Sequence, residues 1–580
     1  MFIMLWKHLS LIRKRQCVFI LTLMIISSVL EVLSLGAVVP FLGVLTSPEY
    51  VFQHQLSQPL IQAFSMTSPR QLVLPLTCFF VGAVLISGMM RLLLLYMMTK
   101  VSLLVGADIS IDIYRRTLYQ KYSVHASRNS SEVINGIITK SNVVVSGVLT
   151  PILVLVSSFI LFLGIMSALL AIDPKAAVSI FLCLGIMYSG VIYYSHRRLK
   201  ANSLIVAKQS NLLLKTLQEG LGGIRDVILD GSQEFYCHRF RESDLVARRA
   251  SGFNQFIAGC PRFIVESLGM SFIAVIAYFM ILDKDGSSVT IPILGAIALG
   301  AQKLLPAIQT SYSSYANIKG SEASFQDVID LLDQDMPMST SQSAIVPLGF
   351  KKSVILENIS FSYANTELLV LQDFSLEIPK GSHVGFIGET GSGKSTTIDI
   401  IMGLMVPTVG RIMIDGEELV DRNTQAWQKN ITHVPQSIFL ADGTIEENIA
   451  YGEDLNFIDH ERMKVAADQA QISRFIEGLE AGYKSQIGEN GVRLSGGQRQ
   501  RLGIARALYK SFNVIVFDEA TSSLDEQTED KVMQSIKNLN HDSTVLIIAH
   551  RMSTLKNCDF IVEVKKDGVF RILDYSDIKN

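Results

Sequence analysis

A basic tail, clustered cysteines and an even spread of charge are what this chain lacks, and each absence narrows the classes of function open to it. No lysine- or arginine-rich tail interrupts it and its formal net charge is −2, so nucleic acid is not an expected partner. The six cysteines (Cys17, Cys78, Cys183, Cys237, Cys260 and Cys558) are scattered without CxxC or other metal-ligand spacing. They are expected to be small apolar packing residues. Charged residues make up 18% against 49% hydrophobic, with a mean hydropathy of +0.34, too apolar for an ordinary soluble enzyme. No cleavable leader is expected, because the first apolar stretch runs past any plausible cleavage site. No soluble accessory domain is expected before it, since the first span starts by about residue 17.

What is there is divided unevenly. A length of 580 residues exceeds one hydrophobic core, so at least two domains are expected. The apolar excess lies before about residue 320, and the remainder has the mixed composition of a soluble α/β domain. Six apolar segments, near 17–45, 72–98, 141–172, 175–195, 255–282 and 289–316, each reach the roughly 20 helical residues that cross a hydrocarbon layer. Polar backbone cannot go unpaired in lipid, so the bilayer is the first partner and these spans are helices. The predicted domains are a six-helix transmembrane domain at 1–325, a polar linker at 326–350 and, on the phosphate-binding pattern GxxxxGKS at 388–395, an α/β P-loop NTPase domain at 351–580.

Basic residues orient the spans. Lys7, Arg13, Lys14 and Arg15 precede the first, Arg115, Arg116, Lys121 and Arg128 follow the second, and Arg197, Arg198, Lys200, Arg225, Arg239, Arg241, Arg248 and Arg249 fall between the fourth and fifth. The opposite side has only Arg70, Lys175 and Lys284 near span ends. Both termini and the NTPase domain are therefore expected in the cytoplasm of a multi-pass inner-membrane protein. The cytoplasmic stretches 99–140 and 196–254 read as helical extensions interrupted by short turns at 119–132 and 217–232. On the outer side, residues 46–71 could place Val51, Leu56, Leu60, Ile61 and Phe64 on one face of a short interfacial helix.

Chemistry concentrates in the last third. The run Gly388-Glu389-Thr390-Gly391-Ser392-Gly393-Lys394-Ser395-Thr396 follows the apolar strand Val384–Ile387 and precedes a helix. The glycines let the backbone wrap phosphate oxygens, and the amides and helix N-terminus supply positive potential. Lys394 should reach the β- and γ-phosphates of ATP and Ser395 should ligate Mg²⁺. Asp518 ends the strand Val514–Phe517, which sets its carboxylate beside the metal. Glu519 follows and can polarise an attacking water.

With these residues in view, the chain resembles an ATP-binding-cassette (ABC) exporter half-transporter over essentially its whole length. Leu494-Ser495-Gly496-Gly497-Gln498 is similar to the family signature, implying that Ser495 and the glycine amides cap the γ-phosphate held by a second subunit. The resemblance implies that Tyr363 stacks on adenine, that Gln436 senses Mg²⁺ and relays movement, and that His550 contacts the γ-phosphate. It places Asp525 in the D-loop, where Ser523 replaces the usual alanine. It also implies that the turns at 119–132 and 217–232 dock on cassettes. One chain carries both half-sites, so a head-to-tail homodimer is expected, with a heterodimer left open.

Ionisable residues inside spans point to cargo. Arg91, Arg262 and Lys303 lie on three different spans, and in a dimer could line a cavity that grips an anion. Alternatively Arg262 neutralises Glu266 at i,i+4, and Glu31 pairs with Arg91. The segments Glu31–Phe41, Pro261–Gly269 and Lys303–Pro306 resemble bacterial flippases of lipid-linked oligosaccharides used in protein glycosylation. That resemblance implies that the three cations engage the diphosphate of a polyprenyl-linked glycan, although a lysine at 303 lacks the planar fork of arginine. Export of a lipid A-like lipid, a drug or a peptide is the alternative, and a membrane-anchored regulatory ATPase the reading from another class.

Overall fold

The computed structural model of the chain describes all residues except 47, 54–57, 64–65, 173, 284–289, 337–344, 364–365, 367, 521–524, 540–541, 550, 567 and 579–580. It divides into two compact units, one of residues 1–120 and 128–336, the other of residues 121–127 and 337–580.

The first unit is helical. Its long elements are α1 (Leu11–Gly36), α2 (Val73–Leu118), α3 (Thr150–Ile172), α4 (Pro174–Gly222), α5 (Gln233–Asp283), α6 (Thr290–Gly320) and α7 (Glu322–Leu332). Ser10 caps α1 by accepting from the Arg13 amide at 3.4 Å. Among the described residues, three stretches are long and apolar enough to cross a membrane: Leu11–Leu45, Pro69–Leu118 and Ser130–Ala171. The remaining expected spans lie along α4, α5 and α6, with residues 284–289 outside the described set. Leu85, Ile86, Met89, Leu92 and Leu95 on α2 are each more than half exposed, the apolar surface that hydrocarbon would cover.

The long helices extend well beyond bilayer length, as expected from stretches 99–140 and 196–254. The interruptions contain short helices of their own, Tyr122–Ser127 and Ile224–Leu229. A linker is expected from residue 326, but α7 continues through that position to Leu332. Phe325, Val328, Ile329 and Leu332 are buried there in the core of the first unit, and an ion pair joins the buried Lys140 to the partly exposed Asp327 on α7. Segment 46–71 is helical at Pro48–Gln53 and Gln58–Ala63, with Val51 and Ile61 buried; Leu56 and Phe64 lie outside the described residues.

The second unit is a cassette of two sheets. Strands β1 (Ser353–Phe361), β2 (Leu371–Pro379), β3 (His383–Ile387), β4 (Val409–Ile414), β5 (Glu417–Glu418), β6 (Ile431–Val434), β7 (Val514–Asp518), β8 (Thr544–Ile548), β9 (Phe560–Val564) and β10 (Phe570–Leu573) occur in that order. The antiparallel sheet has order β2-β1-β4-β5, and the other β10-β9-β3-β8-β7-β6, parallel from β9 through β6. All five residues of β8 and the first four of β7 are buried. That is why those strands read as continuous apolar runs rather than alternating ones. In this parallel arrangement the carboxyl ends of β3 and β7 open on the same edge, each beside β8, where ligands of open α/β sheets bind.

Candidate nucleotide site and membrane cavity

The loop after β3 is shaped by its glycines. Gly388, Gly391 and Gly393 have φ of 145°, 82° and 102°, a region costly for any residue with a Cβ. At Gly388 a Cβ would lie 2.1 Å from the Val564 carbonyl oxygen, so glycine is required sterically as well. Helix α8 (Lys394–Ile401) starts directly behind the loop, pointing its unpaired first-turn amides at the cradle.

Lys394 folds over this cradle. Its Nζ donates to the Gly388 and Glu389 carbonyls at 2.8 and 2.9 Å. Burial lowers its pKa, against the opposing charges of Glu519 and Asp518. Ser395 faces solvent at the helix start, whereas Ser392 is buried and its Oγ has no hydrogen-bond partner. A loop of left-handed glycines, a lysine resting on its carbonyls and an orphaned hydroxyl fit a bound polyphosphate. Glu389 is drawn to Lys566 at 2.9 Å, Thr390 is exposed, and Thr396 shares a 2.9 Å hydrogen bond with the Tyr363 hydroxyl. Tyr363 thereby stays beside the loop and is 42% exposed, open to stacking.

Across β8, the end of β7 carries the carboxylates. Burial, then the charge of Glu519, raises the pKa of Asp518, while Lys394 opposes the shift. Glu519 takes a left-handed backbone with φ 50°, a conformation uncommon for a residue with a side chain. Its Oε2 accepts a 2.6 Å hydrogen bond from Gln436 Nε2, so the two expected catalytic groups meet directly. Asp518 pairs in register with Ile548, two residues before His550; His550 lies outside the described residues.

Ser495 begins helix α9 (Gly496–Tyr509) with a reciprocal capping box. Its hydroxyl accepts from the Gln498 amide at 3.2 Å, and Gln498 Oε1 accepts from the Ser495 amide at 2.8 Å. The amides of Gly496 and Gly497 are then the open donors of a rigid helix end. Among the described residues no group of three His, Cys, Asp or Glu could hold a metal. Ser395, Gln436 and Asp518, the residues expected at a divalent ion, offer a hydroxyl, the amide oxygen left over when Gln436 Nε2 donates to Glu519, and one carboxylate, a donor set that would fit Mg²⁺, which takes most of its ligands from phosphate and water.

Two cassette residues were not singled out from sequence. Arg506 on α9 donates to the Phe439 carbonyl at 2.7 Å and to the Asn448 carbonyl at 2.8 Å, and stacks on Tyr451 at 4.6 Å. It ties the segment that follows Gln436 to the signature helix. Asp399, one turn after Ser395, is pushed up to about 6 by burial and then by Asp518. An arginine between the buried Ala505 and Ala507 was the available signal for the first.

In the helical unit, Glu31, Arg91 and Lys303 converge. Lys303 Nζ donates to Glu31 Oε1 at 2.6 Å and to Ser34 Oγ at 3.3 Å. Arg91 donates to the same oxygen at 3.4 Å, and Ser87 donates to Glu31 Oε2. These charged groups line a cavity of about 530 Å³ with Ser27, Ser28 and Thr310. The structure does not place Arg262 there: it pairs with Glu266 at 3.2 Å, four residues along α5. Of the three cations grouped from sequence, two are brought together in one chain. Both pairings held open as alternatives, Glu31 with Arg91 and Arg262 with Glu266, are formed.

Comparison with known proteins agrees with this architecture. The model of the ABC transporter family matches residues 371–522, and that of the ABC transporter transmembrane region matches residues 35–302. An ATP-dependent lipid A-core flippase of Cupriavidus metallidurans is 27% identical over 498 residues, covering 84% of this chain and 82% of the relative. A protein of the same name from Saccharophagus degradans is 29% identical over 470 residues, covering 80% of this chain and 78% of the relative. The solved structure of a bacterial Atm1-family ABC exporter with ATP bound superposes with a TM-score of 0.80 at 20% identity, over 97% of this chain and 96% of that one.

Proposed function

The chain belongs to the ABC transporters, as an exporter half-transporter with membrane region and ATPase cassette in one polypeptide, and from this premise we propose that it flips a lipid with an anionic, phosphate-bearing head group. A polyprenyl-diphosphate-linked oligosaccharide is the specific cargo we favour. The observation that carries the reading is the meeting of Arg91 and Lys303 on a cavity wall, around a buried carboxylate. Charges in a membrane domain are costly, and ones facing a cavity mark a substrate path. Two cations beside one carboxylate leave an excess positive charge to grip phosphate oxygens. Arg262, paired with Glu266, belongs to this site only through rearrangement or a second copy.

Two copies arranged head to tail complete the ATPase. Tyr363 stacks on adenine, and residues 388–396 cradle the phosphates. Ser495, Gly496, Gly497 and Gln498 of the other copy cap the γ-phosphate. Glu519 takes the proton of the attacking water, held in place by Gln436, with His550 at the γ-phosphate. Mg²⁺, bound through Ser395, Gln436 and Asp518, would neutralise charge on the β- and γ-phosphates. Both termini and the cassette lie in the cytoplasm of an inner membrane, the side on which the basic residues cluster.

A second reading has one observation in its favour: the curated relatives are named lipid A-core flippases. An ATPase panel separates the two. In nanodiscs, a polyprenyl diphosphate should stimulate hydrolysis more than lipid A or an uncharged polyprenol, and Arg91→Ala or Lys303→Ala should remove the stimulation. Stimulation by lipid A alone would select the second reading, and equal stimulation by the uncharged lipid would overturn the anionic cargo.

A further inference from the structure

Glu31 is the residue that the proposed cargo site leaves unexplained. A carboxylate 3% exposed is costly in a membrane helix. It sits where it weakens the very charges that are to hold an anion. Yet it is fully engaged: Lys303 and Arg91 both donate to Oε1, at 2.6 and 3.4 Å, and Ser87 donates to Oε2. That donor set is the one a phosphate group would seek, two cations and a hydroxyl around one pair of oxygens.

We propose that Glu31 is a built-in counter-ion, which occupies the two cations when the cavity holds no cargo and yields them to the incoming anion. This rests on the anionic-cargo reading above and adds a residue that tunes affinity and release. The exposures of the three side chains set the order of events. Glu31 is 3% exposed, Lys303 35% and Arg91 60%, so a ligand in the cavity meets the cations from the side away from the carboxylate. Arg91, at the longest distance and the most exposed, transfers first. Lys303 keeps its tie to Glu31 until the anion is seated, and that tie pulls it back as the anion leaves. The carboxylate also spares the empty site from holding two unpaired cations, whose repulsion and desolvation would otherwise oppose the packing of α1, α2 and α6.

The direction of one substitution separates this role from a scaffold. A carboxylate that merely positions the cations would, when lost, weaken binding of an anion. A competing counter-ion would, when lost, strengthen it. For Glu31→Gln in nanodiscs, the concentration of geranylgeranyl diphosphate that half-saturates ATPase stimulation should fall about tenfold, within the usual span of site coupling, and the maximal stimulated rate should fall with it because release slows. Glu31→Asp, which draws the carboxylate back from the cations by one methylene without removing it, should shift half-saturation the same way by a smaller factor, and it reads the proposal if the glutamine variant fails to fold. Inorganic pyrophosphate is run beside the amphiphile: a shift with both assigns the ligand to the diphosphate itself, and a shift with the amphiphile alone to a lipid-borne head group. Either supports the exchange. Unchanged or raised half-saturation in both variants overturns it. If Arg91→Ala and Lys303→Ala also leave half-saturation unchanged, the cargo site itself fails; if they weaken binding while Glu31→Gln does not tighten it, the exchange alone fails.

Discussion

Gln436 Nε2 lies 2.6 Å from Glu519 Oε2. One residue follows β6 and the other follows β7, neighbouring parallel strands, so the groups expected to sense the metal and to activate water are coupled through a single contact. Glu519→Gln should lower ATP turnover by roughly 10²–10⁴-fold, the usual worth of a positioned general base, with nucleotide affinity kept. Gln436→Ala, which removes one partner of the base and leaves the base itself, should cost about tenfold. Steady-state turnover and nucleotide binding measured on the same preparations check both. An unaltered rate for Glu519→Gln would remove it from the chemistry.

Gly388→Ala should abolish nucleotide binding while leaving the chain folded. Its φ of 145°, and the Val564 carbonyl oxygen only 2.1 Å from where a Cβ would stand, leave no room for a methyl group. Gly391, with open space around its Cβ position but φ of 82°, should tolerate alanine better, at a cost of about 1–2 kcal/mol in loop strain. Fluorescent-nucleotide titration of the two variants orders them.

Asp399 gives the cassette a pH dependence of known sign. Burial, then Asp518, lifts its pKa from 3.8 to about 6, so the folded state binds the proton more tightly than the unfolded chain. Its contribution is most favourable below the unfolded value and is lost as pH rises through about 4 to 6. Asp399→Asn should therefore melt higher than the parent at pH 7.5, and the difference should vanish near pH 4. Because the carboxyl is only partly shielded from water, the gain should be about 1 kcal/mol. Thermal melts across pH in detergent read it.

The Lys140–Asp327 pair should respond asymmetrically. Lys140 is 4% exposed and Asp327 41%. Asp327→Ala strands a buried cation and should cost about 3–5 kcal/mol, whereas Lys140→Met leaves a carboxylate that water can reach and should cost distinctly less. Melting of the full-length protein tests the ranking, and equal costs would place the pair outside the packing of α7.

The legible parts of this protein were those written in contiguous residues. The phosphate loop, the signature and the Asp518-Glu519 turn each announce themselves within ten residues. Strands such as Val514–Asp518 and Thr544–Ile548 read as apolar runs because both faces are buried. Contacts across distance were less legible. Lys303 reaches Glu31 over 272 positions, and choosing it over Arg262 as a cavity partner depended on helix rotation, which a span-level hydropathy pattern does not specify. The end of the helical unit was also hidden, since α7 carries polar residues on one face and its burial is apparent only from packing. Arg506 resembles a surface arginine until its acceptors, the Phe439 and Asn448 carbonyls, are folded against it.

The most direct test of the whole account is flipping itself. Proteoliposomes containing the purified protein and a fluorescent polyprenyl-diphosphate lipid are given Mg-ATP on the cassette side, and dithionite reads the probe left in the outer leaflet. The account predicts ATP-dependent loss of accessible probe, absent in Glu519→Gln and sharply reduced in Arg91→Ala with Lys303→Ala. Movement of the probe at the same rate without ATP, or unimpaired movement in the double cation variant, would contradict it.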